Sequence, residues 1–239
     1  MRKIKGRFGV TALMGMLVVA STLSAQIASP AQSQSFVVLH SFGEIPDGAD
    51  PNGVLIHDAE GNLYGTTGLG GTLGYGTVFR IDATGKERLV YYFTGASDGA
   101  NPIGGLVQDK AGSLYGVAQN GGDYGYGTAF AVNDSGFAKV LHAFTGGADG
   151  GSPAAGLLRD SAGNLYGTTG GGGAFGYGTV FELDRAGTET VLHSFTDGAD
   201  GNGPDATLAE DKMGNLYGVA IRGGDASCWL LPVAGLFSS

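Results

Sequence analysis

The sequence is poor in the features that most often identify a small protein. It has one cysteine, Cys228, so no disulfide within the chain is available and the fold must be held by packing and sheet hydrogen bonds. After the first 25 or so residues no stretch carries a helical period, which argues against amphipathic helices and for strands. No Gly-x-Ser-x-Gly elbow occurs in a strand-turn-helix context, so the α/β-hydrolase type of nucleophile is excluded. The glycine runs, above all Gly170 to Gly173, are followed by no lysine-serine/threonine pair, so they are not phosphate cradles. Paired glycosidase carboxylates cannot be singled out either, because every repeat offers the same aspartates.

Basic residues are scarce and unevenly placed. Arg2, Lys3, Lys5 and Arg7 open the chain, and an apolar run follows from Phe8 to about Leu23. Small and polar residues come next, from Ser24-Ala25-Gln26 through Ala31-Gln32. A charged start, a short apolar stretch and a small-residue exit form the layout of a secretory leader. The run of about 16 residues falls short of the roughly 20 that a spanning helix needs. We therefore read 1–31 as signal peptide and short linker, cleaved between Ser24 and Ala31, with an uncleaved anchor as the alternative. No cysteine follows the apolar stretch, which speaks against a lipoprotein. The leader holds four of the 13 basic residues and none of the 22 acidic ones, leaving the rest of the chain at −13. Such a surface repels phosphate backbones and anionic headgroups, so nucleic acid is excluded as a partner while glycans, cations and surface proteins stay open. The expected location is secreted or cell-surface, with the periplasm as the alternative.

What is abundant is glycine, 47 residues, and repetition. Asn62-Leu63-Tyr64-Gly65 recurs as Ser113-Leu114-Tyr115-Gly116, Asn164-Leu165-Tyr166-Gly167 and Asn215-Leu216-Tyr217-Gly218, each copy 51 residues after the last. Gly74-Tyr75-Gly76-Thr77 returns from Gly125 and from Gly176 with the same step. Phe42, Phe93, Phe144 and Phe195, and Pro51, Pro102, Pro153 and Pro204, keep it too. A period without insertions implies identical structural units in identical surroundings.

One unit reads as four short strands: Gly104–Gln108, Ser113–Ala118, Gly127–Val132 and about Lys139–Phe144. Turns rich in Asp, Asn and Gly separate them. Thr128, Phe130 and Val132 alternate with Ala129 and Ala131, giving the third strand one apolar face. Four strands in about 50 residues match a propeller blade, which cannot bury its apolar faces until a neighbour stacks on it. The expected fold is all-β, a β-propeller-like array of four 51-residue units over 36–226, the last one incomplete or diverged. A parallel β-helix is the competing architecture.

The string Asp-x-x-Gly-Asn-Leu-Tyr-Gly-Thr-Thr at 58–67 and 160–169, then Gly-Gly, then Tyr-Gly-Thr-Val-Phe, resembles the GloVer tandem repeat of exported bacterial proteins. The resemblance runs from Phe36 to about Asp225. It implies export and propeller-like blades, and no reaction. The end departs from it: the period calls for Gly-Tyr-Gly-Thr from position 227, where Ser227-Cys228-Trp229-Leu230 stands. Residues 227–239 are read as an aberrant tail. Either the Phe36–Phe42 strand pairs into the fourth unit and closes a ring, or the chain is part of a longer array; the tail inclines us to the second.

Chemistry is sparse. Asp47, Asp98, Asp149 and Asp200 each precede a glycine between one unit's fourth strand and the next unit's first, on the same face as the glycine-rich loops. They are the candidate binding residues, and Ca²⁺ is the single cofactor such an acidic ring suggests. Asp-Gly is equally the turn chemistry needed to cross between blades. His40, His142 and His193 share one repeat position with Tyr91 and read as framework residues. Tyr124, at a position that varies to Leu73 and Phe175, is the better exposed aromatic. The composite expectation is a non-enzymatic exported binding or cell-surface module. A propeller enzyme acting on polysaccharide and a plain scaffold are the alternatives.

Overall fold

The structure, a computed structural model, describes residues 37–43, 46–224 and 235–238. The leader expected at 1–31 lies outside the described residues, as does the tail up to residue 234. Backbone contacts separate Met1–Val37 from Val38–Ser239, and the repeats occupy the second of these.

The described residues form strands and turns without a helix. Unit 1 comprises Ile56–His57, Leu63–Thr67, Thr77–Ile81 and Glu87–Tyr92, paired antiparallel in chain order. Unit 2 repeats this with Val107–Gln108, Leu114–Ala118, Thr128–Val132 and Ala138–Ala143. Unit 3 follows with Leu158–Arg159, Leu165–Thr169, Thr179–Leu183 and Glu189–Ser194. The architecture is all-β and propeller-like, as the spacing predicts. The first strand is shorter than expected because Gly104 comes against the next unit's backbone: a Cβ there would lie 2.8 Å from the Ala155 carbonyl oxygen. Neighbouring inner strands crowd, and the ladder begins only past the crossing.

The core lies between units. Tyr64, Val78, Val90 and Phe93 of unit 1 bury against Leu106, Leu114, Phe130 and Val132 of unit 2. Val117 and Phe144 of unit 2 meet Leu157, Leu165 and Phe181 of unit 3, and Val180 and Phe195 of unit 3 meet Leu208, Leu216 and Ala220. At the first two junctions the phenylalanine just past the fourth strand stands edge-on to the next unit's third-strand phenylalanine, Phe93 to Phe130 at 5.0 Å and Phe144 to Phe181 at 5.1 Å. The glycine of the Leu-Tyr-Gly motif makes room for that ring: a Cβ on Gly116 would sit 2.8 Å from Phe130 Cζ.

Unit 4 differs. Ala209–Glu210 and Leu216–Arg222 pair as first and second strands, and Asn202–Pro204 and Gly235–Ser238 both add to Leu216–Arg222. The end of the tail, which matches nothing in the repeat, thus lies along the second strand, with Phe237 opposite Gly218 as Phe181 is opposite Gly167. Ring closure by Phe36–Phe42, the alternative to a longer array, is not what the described residues form. Residues 37–43 make no strand, and Phe42 lies edge-on to Phe79 of unit 1 at 4.7 Å.

Candidate functional site

Each unit has two ends, and the most visible motif builds one of them. The Asp58 carboxylate accepts the Asn62 N–H at 2.8 Å, the Asn62 amide at 2.6 Å and the Tyr64 hydroxyl at 3.0 Å. Asp109, Asp160 and Asp211 do the same for Tyr115, Tyr166 and Tyr217. Burial alone would raise the Asp58 carboxyl, but these donors outweigh it and hold it below its ordinary value. The motif is a self-satisfied turn, and its tyrosine hydroxyls are tied down.

The other end carries the four predicted aspartates. Asp149 accepts from His142 Nε2 at 3.1 Å and from the Thr145 N–H at 2.9 Å, and the Thr145 hydroxyl also donates to it. Asp200 takes His193 at 3.0 Å and the Thr196 N–H at 3.0 Å. Asp47 takes His40 at 3.0 Å and the N–H groups of Gly43 and Gly48. In the second loop the tyrosine replaces the histidine: Tyr91 donates to Asp98 at 2.8 Å. Burial favours the neutral form of Asp149, but the bonds from Thr145 and His142 prevail and its carboxyl sits below the usual range. For Tyr91, burial and the bond to Asp98 both push the hydroxyl's pKa up.

The histidine position and the acidic position are therefore one device, a latch seven residues long that closes each inter-unit loop. A β-bulge sets its aim. In all three fourth strands the unpaired residue falls at the same place, Val90, Leu141 or Leu192, immediately before the latch residue. Among the described residues no three or more His, Cys, Asp or Glu side chains gather as a metal site. Each of the four carboxylates takes its hydrogen bonds from residues of its own loop.

Beside the latches, on the glycine-rich loops, the same face shows what the aspartates do not. The acidic and glycine-rich loops are hydrogen-bonded together, Gly122 N–H to the Ala96 carbonyl at 2.8 Å and Gly173 N–H to the Gly147 carbonyl at 2.8 Å. Leu73, Tyr124 and Phe175 are exposed by 52%, 59% and 60%, and two residues on in each loop Tyr75, Tyr126 and Tyr177 are also exposed. Tyr75 and Tyr126 rest on Gly95 and Gly146, and their backbone carbonyls accept from Asn101 and Ser152 of the following unit at 2.9 and 2.8 Å. Gly203 N–H holds the Tyr177 carbonyl in the same way. The result is one apolar–tyrosine pair in each of the first three units, on loops braced from both sides.

Over residues 23–231 the sequence matches the Gloeobacter/Verrucomicrobia repeat. The chain belongs to that family. No curated protein sequence matches it. Among solved structures it is similar to a gluconolactonase from Xanthomonas campestris, at 16% identity and a TM-score of 0.48, over 76% of this chain and 57% of that one. It is likewise similar to a luciferin-regenerating enzyme, at 15% identity and a TM-score of 0.47, over 77% of this chain and 59% of that one. The chain thus spans under two thirds of the length of each.

In these Gloeobacter/Verrucomicrobia repeats, sequence reasoning placed the acidic loops correctly beside the glycine-rich loops but missed the latch. The constant seven-residue offset between His40, Tyr91, His142 or His193 and its aspartate was the available signal. A concave feature lies at the opposite end between units 1 and 2, an open groove of about 610 Å³ lined by Asp58, Tyr64, Arg80, Lys110 and Asp134. Its guanidinium is already engaged, by Asp134 at 3.3 Å and by Asn62 at 3.0 Å.

Proposed function

We propose that the protein is an exported, non-enzymatic binding module that holds a neutral polysaccharide against its loop face. The observation that carries this reading is the exposed pair Leu73/Tyr75, Tyr124/Tyr126 and Phe175/Tyr177, repeated at one place in three successive units. An apolar ring face backed by rigid backbone suits the C–H face of a sugar, and a pair that recurs with the unit suits a ligand that itself repeats. The acidic character of the chain disfavours polyanions. Asp47, Asp98, Asp149 and Asp200 belong to the site as the groups that fix its loops, with their carboxylate lone pairs directed inward.

Electrophoresis through gels containing neutral polysaccharides tests the reading. Retardation is expected, and Tyr126→Ala or Phe175→Ala should weaken it by about 5- to 10-fold while leaving the melting temperature within about 2 °C. No retardation by any neutral glycan, or retardation unchanged in both variants, would refute it. Accumulation of shortened glycan during the same incubation would favour the enzymatic alternative instead. Export is part of the proposal, and deleting residues 2–23 should leave the protein in the cytoplasm on cell fractionation.

A further inference from the structure

The ends of the array expose the surfaces that its interior buries. Leu106, Leu157 and Leu208 occupy one repeat position and are 5%, 4% and 3% exposed, because each packs on the unit before it. Leu55 holds that position in unit 1 and is 48% exposed. At the other end, Tyr64 is 4% exposed beneath unit 2, whereas Tyr217, its equivalent in unit 4, is 41% exposed. One end therefore shows a leading face and the other a trailing face, and the structure contains three examples of how such faces fit.

The strands are complementary in the same sense. Val38–Phe42 is equivalent, at three periods, to Val191–Phe195, which lies in and just past the fourth strand of unit 3. Ahead of unit 1 this segment lies in no strand among the described residues, with Val38 and Leu39 exposed. Unit 4, in turn, has Gly235–Ser238 along its second strand and no fourth strand among the described residues. Phe42 already stands on Phe79 as Phe93 stands on Phe130, so the segment and the leading face form one surface.

We infer that this surface docks on unit 4 of a second copy of the chain. In that contact Val38–Phe42 of one copy lies along Gly235–Ser238 of the other at the fourth-strand position, and Leu55 is covered by the trailing face around Tyr217. Leu55 and Tyr217 are both uncovered within one chain, which is why the occupant is a second copy rather than the chain's own end. The contact is heterologous, so it builds either a closed ring of two or more copies or an open filament. It also removes an unpaired strand edge.

Sedimentation velocity of the purified protein over a concentration series tests this. Self-association is expected, and Leu55→Asp and Tyr217→Asp should each weaken it at least ~10-fold. Mixing the two variants should restore a dimer and nothing larger, because one intact leading face then meets one intact trailing face. A protein that stays monomeric at every concentration, or variants that associate like the wild type, would overturn the inference. Should either variant fail to fold, cysteine pairing gives a second measurement. In a Cys228→Ser background, separately tagged Val38→Cys and Phe237→Cys chains should form a mixed disulfide, since the two positions fall opposite each other at the register of Val191 and Phe181. A disulfide that forms only within a single doubly substituted chain would mean self-closure and overturn it equally, as would no disulfide in either arrangement.

Discussion

The aspartates of the inter-unit loops act by accepting hydrogen bonds at home. Asp149 receives three donors within eight residues, and removing the carboxylate leaves an N–H, a hydroxyl and an imidazole to find water in a half-closed loop. Asp149→Ala should therefore cost about 1.5–3 kcal/mol in urea unfolding. Its carboxyl is held below its ordinary value, so the stabilisation is fully present above pH ~4 and is lost as pH falls through the lower, folded-state value. Glu189 has the opposite sign. Burial, reinforced by the charge of Asp149, raises its carboxyl to about 7 from 4.5, so the folded state keeps a proton that the unfolded chain releases. Stability then falls as pH rises from about 4.5 to about 7, and Glu189→Gln should remove that fall. We expect the variant to melt roughly 2–4 °C higher than wild type at pH 8 and equally at pH 4.5, since partial exposure limits the effect to about 1 kcal/mol. Equal melting temperatures at pH 8 would show that Glu189 ionises without penalty.

Strands become blades through contacts that no single unit can make. Phe144 is fully buried, yet its neighbours Leu157 and Phe181 belong to the next unit. Phe144→Ala should cost about 3–5 kcal/mol, and lower the melting temperature by roughly 10 °C. Gly116→Ala tests the same packing from the other side. Its new methyl would meet Phe130 at 2.8 Å and Leu106 at 2.9 Å, so a loss of stability is expected although alanine suits a strand better than glycine. The strand limits were legible to within a few residues from alternation and turns. The bulge at Val90, Leu141 and Leu192 was not, because an extra residue in a ladder leaves the local pattern of apolar residues intact and shows only against a partner strand.

The described repeats are held by nearest-neighbour interfaces, and their stability should add unit by unit. Excising one period, residues 95–145, rejoins equivalent backbone and should yield a shorter protein that still shows a β-type circular dichroism spectrum and melts at a lower temperature. Loss of cooperative melting would mean that the units depend on more than their neighbours. Calcium offers a separate check. With the carboxylates in four separate latches, millimolar Ca²⁺ should leave the melting temperature unchanged within about 1 °C, and a rise of several degrees would show a site that the latches do not explain.

The sequence by itself determined the unit, its length and its number of strands. Those depend on local rules: turn residues, alternation and a period of 51 that never slips. It also marked the acidic and glycine-rich loops as neighbours, since strand polarity alone puts them at one end. Only the tertiary structure decided what the repeated residues are for. Tyr64 and Asp58 are six apart, and His142 and Asp149 seven, but whether such pairs face a ligand or each other depends on how the hairpin and the bulge aim them. Leu55 and Leu106 are the same residue in the same local setting, and only the unit stacked on one of them makes the second a core residue and the first an open surface. Burial is a property of neighbours far along the chain, and a repeat that is uniform in sequence carries no sign of which copies have them.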